Sequence, residues 1–163
     1  MSVISVDRDV AGLTMSVVAE FDAPVGRVWK LWDDPRQLEK WWGPPTYPAT
    51  VVDHDLTPGG RVNYYMTGPD GDQPRGWWRV IAVDSPHRLE FEDGFSDAAG
   101  KPNPEMPTMI IRVALDERPG GGTRVTIATK FSSAEAMEQL MAMGMEEGMA
   151  AAMGQMDALV AAV

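Results

Sequence analysis

Apolar and polar residues alternate over several segments of the chain before Ser132, which is the pattern of half-buried β-strands. Glycine- and proline-rich turns separate many of these segments, and such turns are typical of hairpins. The segments predicted as strands are Leu13–Phe21, Ala49–Leu56, Arg61–Thr67, Gly76–Val83, Arg88–Glu92, Met109–Leu115 and Arg124–Phe131. Strands in this succession favour an antiparallel meander, with residues 93–107 as an exposed loop.

Helical spacing appears between the first two predicted strands. Val25, Val28, Trp29 and Trp32 recur every three or four residues after a proline that suits a first helical turn. A second short helix is predicted over Gln37–Trp42, because the glycine and prolines that follow it end a helical pattern.

The chain from Ser132 onward is predicted to form one long helix. Ser132 or Ser133 can act as N-cap, and Glu135 and Glu138 place negative charge near the positive end of the helix dipole. One broad side of this helix is apolar, and its members are Met137, Met141, Met145, Met149, Met156 and Leu159. Together these elements predict a single α+β domain over residues 1–163, in which a curved seven-stranded antiparallel sheet grips the helix. Residues 1–12 are expected to form a flexible N-terminus.

The choice of methionine in this helix leaves two interpretations. An apolar stripe at helical spacing needs only a hydrophobic core to explain it. Methionine, however, is flexible and recurs on surfaces that accept varied partners, so the same stripe could form one wall of an adaptable pocket. Gly144, Gly148 and Gly154 each weaken a helix by about 1 kcal/mol relative to alanine, which indicates a reason for small residues there.

Composition and charge exclude several classes of function. The chain has 163 residues, a net charge of −10 and no cysteine. Strong acidity argues against nucleic-acid and anionic-membrane partners, and the lack of cysteine excludes disulfide and thiolate chemistry. The sequence shows no apolar run long enough to span a bilayer and no signal-peptide core, so a cytoplasmic location is expected.

The six tryptophans occur in three close pairs, which suggests either a heavy core or an aromatic-lined cleft. Strand alternation and helical geometry send the two members of a pair in different directions, so one of each pair is the better cavity candidate. The candidate ligand-binding residues are Trp32, Trp42, His54, Tyr64, Trp78, Phe91, Met141, Met145 and Met149.

His54 is the most chemically distinctive of these candidates. It could be a hydrogen-bonded structural residue, or it could point into the pocket as a general base with Tyr64 as a polarizing donor. No other residue stands at a spacing typical of a catalytic triad or a metal site, and the Asp53 and Asp55 pattern does not continue as a calcium loop. We therefore assign no catalytic residue, no metal and no cofactor from the sequence.

Several motifs occur together and in order: Phe21-Asp-Ala-Pro24, Trp32-Asp-Asp-Pro35, Trp41-Trp-Gly-Pro44, Asp55-Leu-Thr-Pro-Gly-Gly-Arg61 and Gly120-Gly-Gly-Thr-Arg124. In this combination the chain resembles the single-domain proteins similar to the C-terminal domain of the activator of the heat-shock protein 90 ATPase, within the START-like (SRPBCC) superfamily. The resemblance implies a helix-grip fold, in which a curved seven-stranded sheet wraps the long C-terminal helix. It also implies a deep cavity for apolar ligands.

Three functions are therefore weighed. The leading hypothesis is a binding or carrier protein for a hydrophobic or aromatic small molecule. The second is an enzyme like the polyketide cyclases and dehydratases of the same superfamily. The third is a module that contacts a chaperone or regulator through its acidic surface, although chaperone binding is not expected because the activator proper has a further N-terminal domain. A homodimer is compatible with the sequence, but no residue pattern demands one.

Overall fold

The computed structural model of the protein describes residues 3–161. Within them, eight strands and two short helices precede three helical segments. The strands are β1 Val3–Asp9, β2 Thr14–Phe21, β3 Ala49–His54, β4 Arg61–Met66, β5 Arg75–Asp84, β6 Arg88–Ser96, β7 Met109–Glu117 and β8 Thr123–Phe131. The helices are α1 Val25–Asp33, α2 Pro35–Leu38, α3 Ala134–Ala142, α4 Met145–Met153 and α5 Met156–Ala161.

All the described strands belong to one antiparallel sheet, in the order β1-β2-β8-β7-β6-β5-β4-β3. The α+β class and the curved antiparallel sheet with C-terminal helical structure are confirmed. The strand count was wrong, because the sheet has eight strands where seven were predicted. Strands β2 and β8, which are far apart in the sequence, are neighbours in the sheet. They pair from Thr14 opposite Lys130 to Phe21 opposite Thr123.

The additional strand is β1, within the segment that we expected to be flexible. It pairs with β2 from Val3 opposite Ala19 to Asp9 opposite Thr14. The sequence did not predict it because Asp7, Arg8 and Asp9 interrupt the apolar alternation, and such charges are tolerated on an edge strand that faces solvent on one side. Residues 1 and 2 lie outside the described residues.

The short helices lie between β2 and β3, the first two of the predicted strands. Helix α1 agrees with its prediction, and its buried side chains include Val28 and Trp32. The second helix was predicted over Gln37–Trp42 but lies earlier, at Pro35–Leu38. The Asp34 side chain accepts a hydrogen bond from the Arg36 amide at 2.9 Å, which fixes that earlier start.

The C-terminal region is three helical segments rather than the one long helix that was predicted. Ser133 caps α3 by accepting a hydrogen bond from the Ala136 amide at 3.0 Å, as expected for one of the two serines. Gly144 then ends α3 in the left-handed conformation at φ 84°, and α4 begins directly after it. A second interruption follows at Gly154, before α5.

The hydrophobic core lies between the inner face of the sheet and the helices. Alternation along each strand supplies the sheet side of the core, for example Ile111, Val113 and Leu115 in β7 and Ile127 in β8. The helices contribute fully buried groups that include Leu140, Met153 and Met156 from the C-terminal segments.

Two glycines of the C-terminal region should respond oppositely to alanine. Gly144→Ala is expected to destabilise the fold by about 1 kcal/mol, because a Cβ disfavours the left-handed backbone found there. Gly148→Ala should stabilise it by about 1 kcal/mol, because this helical residue has open space where a Cβ would stand. Urea denaturation measures the free energy of unfolding of each variant. A change of the same sign in both would contradict the helix break at Gly144.

Candidate functional site

A cavity of about 270 Å³ lies between the inner face of the sheet and helices α3 and α4, and it opens to solvent. Most of its lining is apolar, with contributions from strands β4, β6 and β7, from the segment after α2, and from the α3–α4 junction. The lining residues are Trp42, Pro44, Tyr64, Met66, Asp93, Phe95, Met109, Leu140, Met143, Gly144, Met145, Gly148 and Met149. Tyr64 and Asp93 supply the oxygen-bearing side chains in this wall.

The register of three strands brings Tyr64 and Asp93 together. Tyr64 of β4 lies opposite Gly76 of β5, and the next pairing places Gly76 opposite Phe95 of β6. A Cβ on Gly76 would overlap the Tyr64 hydroxyl, so the missing side chain leaves the space that the phenol ring crosses. The Tyr64 hydroxyl thereby donates a hydrogen bond to Asp93 Oδ1 at 3.2 Å.

Burial changes the acidity of both groups. Asp93 is only 6% exposed, and this burial raises its pKa to about 7, against the hydrogen bonds from Tyr64 and the Gly94 amide that favour the carboxylate. Burial and the negative charge of Asp93 raise the pKa of Tyr64 well above its usual range. The nearby Trp42 indole N–H lowers the pKa of Tyr64, although that N–H makes no hydrogen bond. The pair thus holds a proton that can leave near neutral pH.

Aromatic rings support this wall from behind. Trp42 meets Tyr64 edge to face with ring centroids 6.0 Å apart, and it meets Trp78 in the same way at 4.9 Å. Trp78 stacks on Phe91 with centroids 3.9 Å apart. These contacts fix the position of Trp42 at the cavity, while Trp78 and Phe91 form a buried layer beneath it.

Four of the candidate residues from the sequence line the cavity together: Trp42, Tyr64, Met145 and Met149. Trp78 and Phe91 contact Trp42 but do not line the space. Trp32 is fully buried and packs edge to face on Trp41 at 5.0 Å, because α1 turns it toward the core.

His54 and Met141 lie away from the cavity. The His54 Nε2 atom is 2.8 Å from the Trp32 carbonyl oxygen, so the ring is used in joining β3 to α1. His54 lies opposite buried Val62 of β4, on the inner face of the sheet, but at the last position of β3 beside α1 and outside the cavity. Met141 instead lines a separate groove near Val10. The turn at Gly144 interrupts the predicted stripe of methionines, so Met141 does not share a face with Met145 and Met149.

Asp93 is the important residue that the sequence did not single out. It was assigned to a loop, because Asp and Gly are poor strand formers, yet β6 continues to Ser96. The signal that could have found it is the alternation Leu89, Phe91, Asp93, which places a carboxylate on the buried face.

A larger groove of about 570 Å³ lies elsewhere, beside α5 and the end of β2. Among its charged groups, Arg118 is 3.6 Å from both Glu20 and Asp22. Asp22 is fully exposed, so this groove lacks the desolvated polar group that the cavity has.

Over residues 3–161 no cluster of three or more metal-ligating His or carboxylate side chains is found, and no helix is long and apolar enough to cross a membrane.

The comparison with protein families identifies the chain. Residues 22–161 match the family described as activator of Hsp90 ATPase homolog 1-like protein, so the chain belongs to this family. A comparison with curated proteins found no match.

Solved structures agree with this assignment. Protein Ms6760 from Mycobacterium smegmatis is 50% identical, with a TM-score of 0.90 over 99% of this chain and 98% of its own. A protein from Arthrobacter aurescens is 51% identical, with a TM-score of 0.94 over 98% of this chain and 92% of its own. A Staphylococcus epidermidis protein at 26% identity has a TM-score of 0.79, covering 93% of this chain and 90% of its own.

The raised pKa of Asp93 predicts a pH dependence of stability. The folded state holds this proton more tightly than the unfolded chain, whose carboxyl has a pKa near 4. The contribution of Asp93 to the free energy of unfolding is therefore full below about pH 4 and declines as the pH rises to about 7. The total decline is on the order of 4 kcal/mol, since each tenfold change in proton affinity corresponds to about 1.4 kcal/mol.

Asp93→Asn should remove this decline, so that the variant gains stability relative to the native protein as the pH rises. Urea denaturation at several pH values between about 4 and 8 measures it. Glu92→Gln is the matched control, because Glu92 neighbours Asp93 but pairs with Arg79 at 3.3 Å on the opposite face of the strand. Parallel pH profiles for the native protein and Asp93→Asn would contradict the description of Asp93.

Proposed function

We propose that this protein binds a small apolar ligand, of aromatic character, in the cavity between the sheet and helices α3 and α4. The observation that carries the proposal is an open apolar cavity with one buried hydrogen-bonding pair in its wall, which is the usual composition of a small-molecule site. The family match supports this role for the fold.

The size of the cavity limits the ligand. An engineered cavity of about 150 Å³ in another protein binds benzene, so a space of about 270 Å³ suits a ligand of one or two fused rings. The edges and faces of Trp42 and Phe95 can contact such rings, and flexible Met145 and Met149 can adjust to their outline. The gap at Gly148 adds room on the helix side.

A second function is supported by the same pair. A carboxyl group with a pKa near 7, in a cavity wall, is matched to general acid or base catalysis at neutral pH. In that case Asp93 would carry the role that the sequence suggested for His54, and Tyr64 would orient it. Asp93→Asn should then abolish turnover of a bound substrate while retaining its binding, and retained turnover would eliminate this function.

Ligand binding should appear as a shift in melting temperature. A ligand present at one hundred times its dissociation constant stabilises a folded protein by about 2.7 kcal/mol, which for a chain of this size raises the melting temperature by about 5 to 10 °C. We expect this shift with uncharged one- and two-ring aromatic compounds, accompanied by a change in tryptophan fluorescence because Trp42 lines the cavity.

Gly148→Leu should abolish both signals, because Gly148 lines the cavity with open space at its Cβ position, so the larger side chain takes up ligand space. Ala151→Leu is the matched control, since it adds the same side chain to an exposed position of α4. Loss of binding in the control variant, or undiminished binding in Gly148→Leu, would place the ligand elsewhere and refute the proposal.

A further inference from the structure

The cavity carries an acid without a basic partner. Among its described lining residues there is no lysine, arginine or histidine, and Tyr64 is the only titratable group besides Asp93. A carboxylate or phosphate on a ligand would therefore lose its hydration without meeting a counter-charge. Burying an unpaired ion in this way is one of the largest penalties in protein energetics.

Asp93 adds a direct penalty for anions whenever it is ionised. Its carboxyl is buried in the wall itself, where the surrounding side chains screen charge poorly. The net charge of −10 on the whole chain acts in the same direction at longer range. Both effects lower the affinity for an anionic ligand relative to an uncharged ligand with the same rings.

The hydrogen-bonding capacity of Tyr64 and Asp93 indicates which polar group of a ligand the cavity can bind. Tyr64 already donates its proton to Asp93 Oδ1, so it can accept but has no second proton to offer. The carboxyl group retains further lone pairs when ionised and one O–H donor when protonated. A ligand hydroxyl both donates and accepts, so it can bond to Asp93 in either protonation state.

We propose that the cavity selects uncharged aromatic alcohols or phenols, whose hydroxyl bonds to Asp93 beside Tyr64, and excludes the corresponding carboxylates. This inference rests on the proposed function, because it specifies the ligand class of the same cavity. Asp93 is here a specificity-determining residue, and the apolar wall supplies the affinity.

Isothermal titration calorimetry at about pH 8 with 2-naphthol and 2-naphthoate tests the selection. We expect 2-naphthol to bind at least tenfold more tightly than 2-naphthoate. Asp93→Asn should narrow this ratio by removing the repulsion of the anion, whereas Glu92→Gln, which loses the same charge outside the cavity, should leave it unchanged. Equal affinities in the native protein, or a ratio unaffected by Asp93→Asn, would overturn the inference.

A second variant keeps the test independent of how Asp93→Asn folds. Met145 is half-buried at the cavity wall, so Met145→Lys places a cation beside the space. It should raise the affinity for 2-naphthoate at least tenfold relative to 2-naphthol, and an unchanged preference would count against charge as the selecting property. If neither compound binds the native protein, the proposed function fails as well, whereas binding of both with equal affinity overturns the selection alone.

Discussion

Contacts between aromatic rings hold the cavity wall of this protein in place. Trp32 of α1 packs against Trp41, Trp41 against Trp42, and Trp42 against both Tyr64 and Trp78 of the sheet. Each such pair stabilises the fold by about 0.5 to 1.5 kcal/mol, beyond the stabilisation that comes from burying its apolar area. The chain of rings therefore connects the short helices to the sheet and supports the wall on which the polar pair stands.

That support allows a carboxyl group to stay in an apolar wall. Asp93 loses hydration, and in return it accepts hydrogen bonds from the Tyr64 hydroxyl and the Gly94 amide. The Tyr64 hydroxyl reaches Asp93 only because Gly76 has no side chain at the crossing point on the intervening strand. The arrangement raises the pKa of Asp93 to about 7 and costs stability at higher pH. Groups that burden the fold in this way are concentrated at functional sites, which is why the pair is central to our proposals.

The sequence predicted most of the fold but only part of the site. Regular alternation located the strands that face the core, and a serine cap located the start of α3. The sequence pattern did not predict edge strand β1, because that strand is rich in charged residues. It also did not predict the turn at Gly144, which depends on a left-handed backbone conformation that favours glycine. Asp93 could not be matched with Tyr64, because their meeting depends on a register across three strands that one-dimensional patterns do not contain.

A crystal structure of the protein with 2-naphthol tests most directly whether the cavity holds a ligand against the Tyr64–Asp93 pair. We expect the ligand rings to lie between Trp42 and Met149, with the ligand hydroxyl at hydrogen-bond distance from Asp93. A ligand bound at another surface, or α4 methionines filling the space and leaving no room for one, would contradict it.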